Sequence, residues 1–84
     1  MDNRWYTFAE VCRDEFMQCS FKSELIAQCG GNEDIAWAVF FHLREDSLEW
    51  LKREVPALEH RVPVALIHGG DSDLVRDCLW SMPC

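Results

Sequence analysis

The chain has 84 residues, of which 49% are hydrophobic and 12% aromatic, so it has enough apolar surface to fold as one small domain. Eight Lys and Arg oppose fifteen Asp and Glu, which gives a net charge of -7 with His neutral. This balance disfavours nucleic acid and anionic membranes as partners, because both are bound through clustered Lys and Arg. It favours a protein with a basic surface, or an enzyme whose site receives an anion.

Capping signals and helical periodicity predict two helices in the N-terminal part of the chain. The residues at positions 7–10, Thr-Phe-Ala-Glu, have the form of a capping box, which predicts a first helix over about residues 7–19. Ser20 is the predicted cap of a second helix, and Gly30-Gly31 supply its left-handed stop.

The third predicted helix, capped by Asn32, is the most apolar segment. Trp37 and Phe41 lie on a second apolar face, roughly 100° round the axis from the core stripe. A helix with two apolar faces is either central to the fold or covered by a partner, so Trp37 and Phe41 are candidate partner-binding residues. The core stripe consists of Ala36, Val39, Phe40 and Leu43.

Three shorter helices are predicted to follow. A capping box over residues 46–49 opens a fourth helix, which Pro56 prevents from continuing; Pro63 opens a fifth, which Gly69-Gly70 ends. In the fourth helix we expect a shared face of Leu48, Leu51 and Val55. In the last, over about residues 71–82, we expect Leu74, Val75, Cys78, Leu79 and Met82 to pack inward. Because no segment alternates apolar and polar residues, the predicted fold is all-α, a compact bundle of five or six short helices.

Cysteine usage and the chain start predict a reduced, cytoplasmic protein. The five cysteines, at positions 12, 19, 29, 78 and 84, form no C-x-x-C pair and no zinc-ligand spacing. Several fall on apolar helical stripes, where free Cys packs as a small hydrophobe. The first residues do not resemble a signal peptide, and no apolar run approaches the ~20 residues that a membrane span needs.

The sequence contains no motif that predicts catalysis. His42, His60 and His68 lack metal-ligand spacing, and no phosphate-binding loop or nucleophile motif occurs. We therefore expect no catalytic residue, no metal and no cofactor, with the histidines structural or solvated. Residues 20–43 imitate a helix-turn-helix, but Glu33 and Asp34 would begin the recognition helix and repel phosphates, so direct DNA binding is disfavoured.

The tryptophans provide a stronger indication of function. Four Trp in 84 residues exceed what so small a core can hold, and Trp is enriched in binding hot spots. Trp80 lies off the apolar stripe of the last helix, on the same side as Asp73 and Asp77. A surface that is part aromatic and part acidic predicts a protein interface there.

The second half of the chain also resembles a known family. The pattern over about residues 35–82 is Val39-Phe40, Ser47-Leu48-Glu49-Trp50-Leu51, Pro56-Ala57-Leu58, Pro63-Val64-Ala65-Leu66-Ile67, Val75 and Leu79. In order and spacing it resembles the toxin-binding domain of the Xre/MbcA/ParS antitoxins. The family usually has Gly-Gly-Arg-Thr before the second Pro, where this chain has Glu59-His60-Arg61-Val62.

The resemblance implies an antitoxin that sequesters a RES-type toxin, a class similar to enzymes that consume NAD or transfer from it. The toxin-binding region would be residues 35–84, and residues 1–34 of the single domain 1–84 would be a reduced helix-turn-helix remnant. The last helix would cover the toxin's active site, with Trp80, Asp73, Asp77 and Arg76 as binding residues. Two alternatives remain: a phage or mobile-element inhibitor that docks on a nucleic-acid-handling complex as an acidic mimic, and a homodimeric scaffold that uses the face with Trp37 and Phe41.

Overall fold

The computed structural model describes residues 3–82, and its helices confirm the predicted all-α fold. Short 3₁₀ turns precede and follow the fourth helix, over Arg44–Asp46 and Pro56–Leu58. No strand forms within residues 3–82, although one isolated antiparallel bridge joins Val55 to Arg61. The helices are α1 (Asn3–Phe16), α2 (Lys22–Gln28), α3 (Glu33–Leu43), α4 (Ser47–Leu51), α5 (Pro63–His68) and α6 (Ser72–Ser81).

The central element is α3, which contacts α1, α2, α4 and α6. Its Ile35, Ala36, Ala38 and Val39 side chains are fully buried, because neighbours pack against it from several sides. The small Ala side chains allow those neighbours to approach the helix closely. One hydrophobic core results, and it extends from Trp5 in α1 to Leu79 in α6.

The first helix begins earlier than the capping signal predicts. It starts at Asn3, and Thr7 lies inside it with its hydroxyl donating to the Asn3 carbonyl at 3.0 Å. The apolar stripe of α1 begins at Trp5, two residues before the predicted cap, and burial of this side chain favours a helical first turn. The helix ends at Phe16, and Cys19 is buried in the turn that follows.

Three other local predictions are wrong. The second helix begins at Lys22, preceded by Phe21 and not by Ser20, because the Phe21 ring packs 5.8 Å from the Phe40 ring. The fourth helix ends at Leu51, so Val55 is not on its face and pairs instead with Arg61. Leu74 is 39% exposed, since the core covers α6 only on the side of Val75, Cys78 and Leu79.

A tight turn over residues 55–61, called here the 55–61 turn, connects α4 to α5. The Val55 N–H donates to the Arg61 carbonyl at 3.0 Å, and the His60 N–H donates to the Val55 carbonyl at 3.0 Å. Glu59 and His60 have φ values of 57° and 62°, a left-handed conformation in which a Cβ crowds the backbone. The turn therefore closes with two residues in a conformation that glycine adopts at lower cost.

We expect Thr7→Ala to leave the free energy of unfolding unchanged or to raise it by up to about 0.5 kcal/mol, because Ala is the better residue inside a helix. If Thr7 were an N-cap, its loss would instead lower the free energy of unfolding by about 1 kcal/mol. Urea denaturation distinguishes these two outcomes. Ser47→Ala is the matched control, since its buried hydroxyl donates to the Arg44 carbonyl at 2.6 Å and its removal should cost about 1 kcal/mol.

The substitution His60→Gly should stabilise the fold by about 0.5–1 kcal/mol, because glycine adopts the positive φ of His60 without crowding. The same change at His68, in the last turn of α5, should destabilise it by up to about 1 kcal/mol. Both are measured as shifts in the urea midpoint. Equal shifts at the two positions would contradict the left-handed turn.

Candidate protein-binding surface

The last helix is attached to the start of α3 by an ion pair. The Arg76 Nε donates to Asp34 Oδ2 at 2.8 Å, and the two side chains are only 12% and 14% exposed. Arg76 also donates to Asn32 Oδ1 at 3.3 Å and to Asp73 Oδ1 at 2.8 Å. One guanidinium thus joins α6 to the beginning of α3, and this contact sets the position of α6.

The same carboxylate links α1 to the ion pair. The buried Trp5 ring donates its Nε1–H to Asp34 Oδ2 at 2.8 Å. Burial acts to raise the pKa of Asp34, but hydrogen bonds from Arg76 and Trp5 outweigh it and hold the pKa below its usual value of 3.8. The bond to Asp34 likewise raises the pKa of Arg76. Both groups therefore carry full charge at neutral pH.

An aromatic cluster joins rings from α1, α3 and α6, namely Trp5, Phe8, Phe41, His42 and Trp80. Phe8 is at the centre of this cluster. Its ring packs edge to face against the Trp80 ring, with 5.4 Å between the ring centroids. Trp80 lies at the outer edge of the cluster and remains 45% exposed. An aromatic side chain held in this way loses little rotamer freedom when a partner covers it.

His42 fixes the last turn of α6. Its Nε2 lies 3.0 Å from the carbonyl oxygen of Leu79, to which the protonated ring nitrogen donates. Burial lowers the pKa of His42, against the opposing effect of the Leu79 carbonyl. The imidazole is therefore neutral at pH 7, and it has a structural role.

The outer face of α6 combines exposed aromatic, acidic and apolar side chains. Trp80 is 45% exposed and Leu74 39% exposed, while Asp73 and Asp77 are exposed carboxylates. Three of the four α6 residues predicted to bind a partner, Trp80, Asp73 and Asp77, thus lie on the surface. Arg76 does not, because its guanidinium is engaged by Asp34, Asn32 and Asp73, and its position indicates a structural role.

The second apolar face of α3 is partly covered by α1. The Arg13 guanidinium lies 5.6 Å above the centre of the Trp37 ring, and Phe41 meets Phe8 at 5.9 Å. Both Trp37 and Phe41 are intermediate in burial and pack against the core. The apolar surface that made them candidate binding residues is therefore largely used within the chain.

Comparisons with family models, with curated proteins and with solved structures found no match to this chain. The resemblance to the antitoxin domain therefore stays a prediction, and the surface is interpreted from its own chemistry.

Four of the five cysteines lie within residues 3–82. Cys12, Cys19, Cys29 and Cys78 are buried, and the remaining Cys84 lies outside the described residues. Burial and then the charge of Asp34 raise the pKa of Cys29 to about 12, so the thiol is protonated and unreactive at neutral pH.

In the described part of the chain no helix has the length and apolarity that crossing a membrane requires.

Several residues that shape this surface could not be recognised from the sequence pattern. The sequence shows only that Asp34 lies at the start of α3. Its hydrogen-bond partners, Trp5 and Arg76, are separated from it by 29 and 42 positions along the chain. Phe8 lies in the predicted capping box at residues 7–10, but its contact with Trp80 depends on how α1 and α6 are placed relative to each other.

We expect Asp34→Asn to lower the free energy of unfolding by about 3 kcal/mol, because it leaves the Arg76 charge without its main partner in a largely buried position. Asp73→Asn is the matched control. It removes another carboxylate bound to Arg76, but that carboxylate is 65% exposed, so the loss should stay below about 1 kcal/mol.

The pH dependence gives an independent check of this prediction. Because folding lowers the pKa of Asp34, the unfolded chain binds more protons as the pH falls below 3.8, and the stabilisation is lost towards the folded pKa. The gap in unfolding free energy between the original chain and Asp34→Asn should be constant above about pH 5 and shrink below 3.8. A gap that is independent of pH would contradict an ionised Asp34 in the network.

Proposed function

We propose that this protein is a cytoplasmic protein-binding inhibitor that resembles an antitoxin and neutralises a RES-type toxin by covering its active site. The observation that carries the proposal is the exposed Trp80, which packs against Phe8 and shares α6 with the exposed carboxylates of Asp73 and Asp77. Exposed Trp in a fixed position is the residue type most often found at binding hot spots. The chain acts by occupation of the partner's site and needs no catalytic group.

Charge supports an enzyme with a basic pocket as the partner. A net charge of -7 favours encounter with a cationic surface, and Asp73 and Asp77 place carboxylates beside Trp80. A pocket that normally receives the pyrophosphate of NAD has the complementary charge. Inhibition would then combine aromatic contact at the centre with electrostatic attraction around it.

Two features of the backbone support the antitoxin resemblance. The order of elements matches the pattern, with Trp50-Leu51 closing α4, Pro56 in a short turn and Pro63 opening α5. Glu59 and His60 occupy the positions where the family usually has two glycines, and both have positive φ. The backbone here thus has the shape that glycines favour, although the side chains differ.

We expect Trp80→Ala to weaken binding to the partner by about 2 kcal/mol or more, which is about 30-fold in affinity. The partner is the product of the neighbouring reading frame, or the protein captured from the native host by the tagged chain. Affinity is measured by calorimetry, and NAD consumption by the partner is measured with and without the chain. The variant should also relieve inhibition of that NAD consumption.

Tyr6→Ala is the matched control, because Tyr6 is also 45% exposed but lies on α1. It should leave affinity within a factor of about two, and thermal unfolding checks that both variants remain folded. Equal losses for the two variants would contradict the assignment of Trp80. A captured nucleic-acid-handling complex, bound with a steep loss of affinity as salt rises, would instead support the acidic mimic.

A further inference from the structure

A groove lies between the 55–61 turn and the outer side of α6. Its volume is about 420 Å³, within the range of about 300–1,000 Å³ typical of ligand sites. Its walls belong to two elements of the region proposed to bind the toxin. The lining residues are Ala57, Leu58, Glu59, Arg61, Leu74, Asp77, Cys78, Ser81 and Met82.

The floor of the groove is apolar. Leu58 and Cys78 belong to the core and are almost fully buried, whereas Leu74 remains 39% exposed at the groove. An apolar side chain placed here would remove Leu74 from water and contact a surface already ordered by the core. The groove therefore fits one aliphatic side chain of a partner.

The rim of the groove is acidic. Asp77 and Glu59 both line it, and within residues 3–82 neither carboxylate forms a hydrogen bond or an ion pair. The one cation of the lining, Arg61, directs its Nε–H to the Leu58 carbonyl at 3.3 Å. Two unpaired carboxylates against one Arg leave a net negative rim that attracts a cation.

The wall formed by the 55–61 turn is held in place before any partner arrives. Backbone hydrogen bonds of 3.0 Å from Val55 to Arg61 and from His60 to Val55 close the turn. The turn places the Glu59 carboxylate at the rim although Glu59 has a φ of 57°, a conformation unfavourable to a side chain. Glycine would remove the crowding but also the charge.

From this geometry we infer that the groove receives an aliphatic side chain followed by Lys or Arg in a segment of the partner protein. The aliphatic side chain covers Leu74, and the cation pairs with Asp77 and Glu59. This inference rests on the proposed function, because it assigns a second contact on the same face of α6. It adds a preference for a basic partner segment that Trp80 alone does not specify.

Nuclear magnetic resonance titration of the full chain with N-acetyl-leucyl-arginine amide tests the groove directly, without the unidentified partner. The amide signals of Leu74, Asp77 and Cys78 should shift and saturate in the millimolar range at low salt. N-acetyl-leucyl-glutamate amide should bind at least about threefold more weakly, and Asp77→Asn should reduce that preference to near one. N-acetyl-glycyl-arginine amide should also bind more weakly, because it lacks the aliphatic side chain.

Asp14→Asn is the control variant, since Asp14 is an exposed carboxylate on α1 and does not line the groove. It should leave the preference for the arginine peptide unchanged. No saturable shift, shifts confined to other residues, or equal binding of the two leucyl peptides would overturn the inference. Such a result would leave the proposed function standing if Trp80→Ala still weakens the toxin complex, because Trp80 does not line the groove.

Discussion

The ion pair between Arg76 and Asp34 is the contact on which the surface of this protein depends. It joins α6 to the start of α3, and the hydrogen bond from Trp5 to the same carboxylate adds α1. Charges this poorly exposed are stable only when each is paired and hydrogen-bonded, and here both conditions hold. The network therefore orients three helices relative to one another. Hydrogen bonds are directional and apolar packing is not, so the network constrains these orientations more strongly than apolar packing does.

The placement of α6 determines which of its side chains are exposed on the surface. With Arg76 turned towards Asp34, the opposite neighbours on the helix, Asp77 and Leu74, face outward. Trp80 then reaches Phe8 and is fixed at the edge of the aromatic cluster, while the other flank of α6 meets the 55–61 turn and forms the groove. An exposed aromatic side chain and an acidic groove thus lie on two sides of one helix, each held in place by contacts within the chain.

Much of the fold was predictable because it follows from local signals. Glycine pairs and prolines predicted the end of α2, the bounds of α5 and the start of α6. The apolar run indicated that α3 is either central or covered by a partner, and the structure shows that it is central. The capping box at residues 7–10 was misleading, because α1 begins before Thr7, with Trp5 buried in its first turn. The box at residues 46–49 correctly predicted the start of α4. The exposure of Trp80 followed from helical periodicity, but Arg76 was misplaced because its partner lies 42 positions away. Neither the groove nor the role of Phe8 was visible, because both depend on contacts between distant helices.

Hydrogen–deuterium exchange of the chain, free and bound to its captured partner, tests the central claim most directly. The claim is that the outer face of α6 and the adjacent 55–61 turn form the interface. We expect slower exchange at residues 55–61 and 72–82 in the complex, with no change in α2, whose Lys22–Gln28 lie outside the proposed surface. Protection confined to α2, or to the exposed side of α1, would show that the partner binds elsewhere and would contradict the account.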